Sequence, residues 1–349
     1  MTVYSFSDLH FCLHGQATPV YIAIEEMFQL APRTSGVKAL PLHTFVINDS
    51  EPFDMLPDWL NKEVSALPTS AETYMFYGPD GDAATVAKHS HSVSCAWLAP
   101  GHDELRFVSR KTGQDKTGLS VACVLVPILR EALQRKQKLL MHAAAVQCSD
   151  GTGILIQADG GGGKSTTALA MLRNGATLLA DDLVIMDGAN ASKNRLRGFP
   201  EYLNLTDQTI AFFPELADAC KAPYAEGHNV DLKSRFDPRV LYPQAYSNVT
   251  IQLQAIYFVQ ISADGPTASR LSPSETLSRL IKSHTFALQQ KMDPAMAGTL
   301  IELAHTVPAY LVPTGPSPDE LGKWLNHNSR CLANGDIPTL PHNAAGNKA

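Results

Sequence analysis

Residues 157–175 read QADGGGGKSTTALAMLRNG, and the fold turns on what this stretch is for. Gly160, Gly161, Gly162 and Gly163 offer a run of main-chain N–H groups with no Cβ atoms in the way, as a loop wrapped around phosphate requires. Lys164 then brings a cation for β- and γ-phosphate oxygens and Ser165 a hydroxyl for magnesium, in the order of the pattern G-x-x-x-x-G-K-[ST]. The context agrees: GILIQ (153–157) is an apolar strand-like run entering the loop, and STTALAMLRN (165–174) is helix-forming and closed by Gly175 at a C-cap position. One position departs, because the first glycine of the pattern falls on Ala158, which must keep a negative φ or accept modest strain. The candidate nucleotide contacts are Asp159, Gly160, Gly161, Gly162, Gly163, Lys164, Ser165 and Thr166.

Outward from the loop, ATLLADDLVIMD (176–187) sets Asp181 and Asp182 at the end of an apolar run. In a nucleotide-binding sheet one such carboxylate can hold magnesium or its water, and the other can take the proton of an incoming hydroxyl. An isolated Asp-Asp is more often a solvated strand end; the neighbouring loop favours the functional reading. His142, in MHAAAV (141–146), lies on the run before GILIQ, where a lone histidine among apolar residues is usually a satisfied core residue.

The 349 residues are enough for two domains, and 44% hydrophobic with 18% charged residues describes a globular chain. A formal charge of -6 without any Lys/Arg-rich block excludes the electrostatic footprint of a nucleic-acid binder. The six cysteines are scattered without a Cys-x-x-Cys pair, so neither a zinc site nor a disulfide framework is expected. No signal segment or long apolar run appears; the expectation is a cytoplasmic protein that does not engage a membrane. Short alternating runs (TVYSF, PLHTFVI, ETYMFYG, DELRFVS) give a β-rich region over 1–118. A helix over 120–137 with a possible kink at Pro127 follows. Further on come a strand in 248–262, helices over 272–290, 293–307 and 317–332, a strand in 308–315, and a flexible tail from 334. His89 and His91 share a strand face but lack further ligands. Lys233 and Arg235 can reach phosphates from a loop, although such residues are more often solvated. Tyr202, in FPEYLNL, reads as structural.

The ordered set MHAAAV, GILIQADGGGGKSTTALAMLRNG, ATLLADDLVIM and RLRGFP resembles the C-terminal catalytic domain of the bacterial HPr kinase/phosphorylase family, and more closely its stand-alone HPr-kinase-related branch. The resemblance is firm over 139–200 and looser to about 330. It implies an α/β fold: a P-loop-containing HPr kinase/PEP carboxykinase-like catalytic domain over 119–333, a smaller β-rich N-terminal region over 1–118 and a tail over 334–349. It also implies ATP and Mg2+ as cofactors and phosphorylation of a serine hydroxyl on a protein or peptide. Lys164 would bind phosphates, Ser165 magnesium, Asp181 would be the general base and Asp182 a magnesium-side or loop-ordering acid, with the division between the aspartates open. His142 would lie near the transferred phosphate. The family's second signature begins Glu-Ile-Arg-Gly, whereas this chain has Arg195-Leu196-Arg197-Gly198, a cation where the acid belongs, and HPr is therefore not assigned as substrate. Stand-alone relatives often accompany peptide-modifying enzymes, so a peptide-maturation system is one source of the acceptor; family enzymes form homo-oligomers, which stand-alone relatives need not do. Two other readings stay open, a nucleotide-binding sensor or partner-binding module without chemistry, and a carboxykinase-like enzyme acting on a small organic acid.

Overall fold

The computed structural model describes residues 2–6, 9–15, 24–25, 33–34, 43–48, 56–68, 72–89, 92–100, 104–111, 117–188, 194–199, 201–221, 233–243, 249–285, 287 and 289–338. His91, the side chain of His89 and the end of the expected tail lie outside these residues.

In the N-terminal part, runs rich in β-branched and aromatic residues make strands. The strands are β1 (Thr2–Phe6), β2 (Leu9–Gly15), β3 (Arg33–Thr34), β4 (His43–Asn48), β5 (Thr73–Tyr77), β6 (Ala83–His89), β7 (Ser92–Leu98) and β8 (Glu104–Lys111). They form one sheet in the order β3-β1-β2-β4-β8-β7-β6-β5. The period of two sorts β6: Ala84 and Val86 pack under helix α1 (Asp58–Ala66) with its Leu60 and Val64, while Ala83 and Ala87 face helix α2 (Thr117–Arg135). Helix α2 runs through Pro127, and its stripe of Val124, Leu125, Ile128, Leu129, Ala132 and Leu133 recurs at helical spacing. The same cluster takes in Leu140, Leu183 and Ile185 of the second sheet and Phe199 just beyond β14. Each such side chain removed from water contributes roughly 1.5–3 kcal/mol, so α2 is held from both sides.

The second sheet is mixed, and the fold is an α/β one. Its strands are β9 (Lys138–His142), β10 (Ala144–Gln147), β11 (Gly153–Gln157), β12 (Thr177–Ala180), β13 (Leu183–Asp187), β14 (Arg195–Gly198), β18 (Ile251–Gln260), β19 (Ser269–Arg270) and β20 (Ala309–Pro313). The order is β12-β10-β11-β18-β14-β13-β9, with β20 parallel to the far end of β18 and β19 beyond it. On one face lie α3 (Lys164–Arg173) and α7 (Pro318–Ala333), over Ile154, Ile156, Tyr257 and Val259; on the other α5 (Pro273–His284) and α6 (Pro294–Thr306), over Leu155, Ile256 and Phe258. Every residue of β11 is buried, as expected of a central strand with helices on both faces. A small sheet, β15 (Leu203–Leu205), β17 (Ser234–Phe236) and β16 (Cys220–Lys221), joins the α3 side with the short helix α4 (Asp207–Phe212).

Helix α5 stops at His284, short of the expected 290, and Thr285 turns extended. Its end is held by the His284 ring, which hydrogen-bonds the carbonyl of Leu140 at 2.9 Å. Cys95, Cys123, Cys148, Cys220 and Cys331 are free thiols. Among the described residues no helix is long and apolar enough to cross a membrane.

Helices α3 and α7 meet at a glycine. A Cβ on Gly322 would stand 2.3 Å from the carbonyl oxygen of Ala170, a backbone atom of α3. Gly322→Ala is expected to lower stability by about 1–3 kcal/mol through overpacking; a thermal unfolding midpoint equal to wild type would show that the two helices part without cost.

Candidate active site

Two strand-like runs of the sequence break at one place, and the break builds the site. Residues 138–147 run antiparallel to 177–187, pairing as β9 with β13 and as β10 with β12. Between the two ladders the Ala143 N–H still donates to the Asp182 carbonyl at 3.0 Å. His142 and Asp182 thereby become neighbours across this junction, with His142 Nε2 2.8 Å from Asp182 Oδ1. An interrupted ladder re-aims side chains that a continuous one would bury.

The glycine loop leaves β11 and enters α3 on the other side of these carboxylates. Gly163 is the N-cap at φ +94, a left-handed conformation that a β-carbon would strain, and its carbonyl accepts the first helical bond from Thr167 N–H at 2.9 Å. Ala158 is not among the residues with positive φ, so the departure from glycine there carries no backbone strain. The loop is tied outward by α5: Lys282 pairs with Asp159, and Ser283 Oγ accepts from Gln157 Nε2 at 2.6 Å. Both partners of the Lys282–Asp159 pair are solvent-exposed, so it adds little stability.

Lys164 joins loop to carboxylates. Its Nζ donates to the Asp181 carbonyl and to Asp182 Oδ1 at 3.0 Å, and lies 3.9 Å from Asp181 Oδ1. Burial works against the ammonium, but Asp182 and Asp181 outweigh it and hold the Lys164 pKa above its ordinary value. Asp181 is 3% exposed; burial raises its pKa, Lys164 and the Ser165 hydroxyl oppose the rise, and Asp182 adds to it. The side chain of Asp182 is 42% exposed. Burial acts upward on that carboxyl too, but Lys164 and the hydrogen bond and charge of His142 keep it well below the carboxylate range.

The residues singled out from sequence are thus gathered at one corner: the loop, Lys164, Ser165 against Asp181, and Asp182 against His142. The Thr166 hydroxyl is engaged elsewhere, 3.0 Å from Thr209 Oγ1 of α4, itself capped by Thr206. Lys233, exposed beside β17, is near enough for its charge to act on Asp181. Arg235 pairs in β17 with Asn204 and Lys221, and Arg195 in β14 opposite Gln252. Tyr202 is buried under the Lys221 ammonium, 5.2 Å from the ring centroid.

Sequence reading missed Glu201. Its carboxylate accepts from the Leu183 main chain; burial and then the charge of Asp182 push its pKa well above the usual range, with Lys164 opposing. Glu201 Oε1 and Asp181 Oδ1 are both buried without a hydrogen-bond partner among the described residues. Three carboxyls around one lysine, one of them also held by His142 and the other two with an oxygen that lacks a donor, fit a site made for a cation. Among the described residues no three His, Cys, Asp or Glu side chains form a protein-only metal cage. Magnesium asks for none, since it keeps waters and takes one or two carboxylates plus phosphate oxygens. A separate cavity of about 430 Å³, lined by Glu63, Met75, Tyr77 and Lys291 among others, shares no residue with this corner.

No family model matches the chain, and no curated protein does. Among solved structures, the chain is distantly similar to the Hpr(Ser) kinase/phosphatase from Coxiella burnetii, at 16% identity over 56% of this chain and 99% of that one. The TM-score is 0.29.

Proposed function

We propose that the protein is an ATP- and magnesium-dependent kinase that transfers the terminal phosphate to a serine hydroxyl of a protein or peptide. The observation that carries the reading is Lys164, the cation that directly follows the glycine loop, set against a buried and a half-exposed aspartate at once. The main-chain N–H groups of Gly160, Gly161 and Gly163 and the Lys164 ammonium would bind the triphosphate around a loop closed by the Gly162 N–H donating to the Asp159 carbonyl at 2.7 Å, and the Ser165 hydroxyl with Asp181 would hold magnesium. Bound there, the ion neutralises charge on the transferring phosphoryl oxygens.

Exposure supports a division of labour opposite to the one the family resemblance suggests. A bulky acceptor cannot bring its hydroxyl to Asp181, at 3% exposure, but can reach Asp182, at 42%. Asp182 then orients the serine hydroxyl and takes its proton as the new P–O bond forms and the bond to the leaving diphosphate breaks. His142 holds Asp182 in place from the acceptor side. A low carboxylate pKa suits a loose transition state, in which the nucleophile is deprotonated late. The N-terminal sheet, bound to the catalytic sheet through α2, is the candidate acceptor-recognition region.

The test is transfer of labelled phosphate from ATP to serine peptides or cell extract, with Asp182→Asn and Asp181→Asn beside wild type. Asp182→Asn is expected to lower kcat by about 10²–10⁴ with nucleotide affinity nearly unchanged, and Asp181→Asn to raise the magnesium requirement. Tight ATP binding with no transfer to any acceptor would favour the sensor reading.

A further inference from the structure

Glu201 sits where no phosphate-loop pattern places an acid. It is the third residue after β14, and its carboxylate is tied to the main-chain N–H of Leu183, the residue after Asp182. That tether uses one face of the carboxylate; Oε1 is left buried and without a donor. Lys164 feels the Glu201 charge as well as those of Asp182 and Asp181. Asp181, almost wholly buried, also has an oxygen without a donor in the same cluster. Lys164 is already shared between the two aspartates and His142 is committed to Asp182, and among the described residues no hydrogen bond reaches either of these two oxygens.

We propose that Glu201 is a positioning residue for the metal: its Oε1 accepts a hydrogen bond from a water in the magnesium shell, as the third acid of a centre whose direct protein ligands come from Ser165 and Asp181. The proposal rests on the nucleotide-binding reading above. A purely structural Glu201, fixing the turn at Leu183, would leave metal affinity alone, so the two roles separate by experiment.

The probe is Mn2+ in place of Mg2+, followed by electron paramagnetic resonance with the full chain and saturating adenylyl imidodiphosphate. Glu201→Gln keeps the shape and the Leu183 contact but removes the charge. It is expected to weaken Mn2+ binding in the ternary complex about 10- to 100-fold, the usual effect of losing an outer-shell partner, while metal-free affinity for the analogue stays within about twofold. Glu201→Asp, which keeps the charge one methylene shorter, should lose less and serves if the glutamine variant folds poorly. Unchanged Mn2+ affinity in Glu201→Gln would overturn the proposal and leave the nucleotide reading standing, as would an equal loss of analogue affinity with and without metal. A wild-type chain that binds no analogue would sink both.

Discussion

Lys164→Ala is expected to weaken ATP binding by about a hundredfold and to abolish phosphoryl transfer. The ammonium is the one charged donor that reaches from the glycine loop to both aspartates; a charge-assisted contact is worth about 1.5–3 kcal/mol, and tenfold in affinity is about 1.4 kcal/mol. The variant should also be less stable without ligand, because its loss leaves the buried Asp181 facing Asp182 and Glu201 without the cation between them. Asp182 stays partly solvated and keeps His142, which limits that cost. Titration with the non-hydrolysable analogue and a thermal unfolding midpoint measure the two effects together. Undiminished nucleotide affinity would remove Lys164 from the phosphate site.

The second large effect is acid destabilisation through His284. Its Nδ1 faces the Leu140 carbonyl at 2.9 Å, and its Nε2 lies 3.1 Å and 2.9 Å from Nε and a terminal nitrogen of Arg130. With a guanidinium donating to Nε2, the ring is neutral with its proton on Nδ1. Burial, then the Arg130 charge, pushes its pKa down from 6.5 to about 3. The unfolded chain therefore binds this proton first as pH falls. Stability is fully present above about pH 6.5 and is lost as pH falls toward 3, at up to about 1.4 kcal/mol per unit. Asp181 and Glu201 act in the opposite sense, because their raised carboxyl pKa values favour the folded state as pH falls. The His284 effect is thus read as a difference between proteins: from pH 7 to 5 the wild type should lose about 2 kcal/mol more than His284→Gln. Parallel pH profiles would mean that the ring takes up its proton inside the fold. The consequence reaches the loop, since the preceding Ser283 and Lys282 tie down Gln157 and Asp159.

Much of the site was legible because its signals are local. Four glycines before Lys164-Ser165, an apolar strand ahead and a helix behind are constraints within about twenty residues. The caps of α5, α6 and α7 at Ser272, Asp293 and Ser317 are local too. What stayed hidden depends on pairing across the chain. ATLLADDLVIMD reads as one strand; that it breaks at the aspartates follows from its two partners, β10 and β9, at different places in the sheet. Glu201 in FPEYLNL has no spacing that marks it, because its role depends on the turn that carries it back to Leu183. The end of α5 likewise sits on partners far along the chain, His284 meeting Leu140 and Arg130, the latter a residue of α2 that lies 154 positions away in sequence.

Hydrogen exchange of the full chain with and without magnesium and adenylyl imidodiphosphate tests the central claim most directly, because it reports where the nucleotide sits. Slowed exchange is expected at the amides of 159–166 and at 181–183 around the carboxylate corner, and it should vanish in Lys164→Ala. Saturated analogue with unprotected loop amides, or with protection confined to the cavity at Glu63, Met75 and Lys291, would contradict the account.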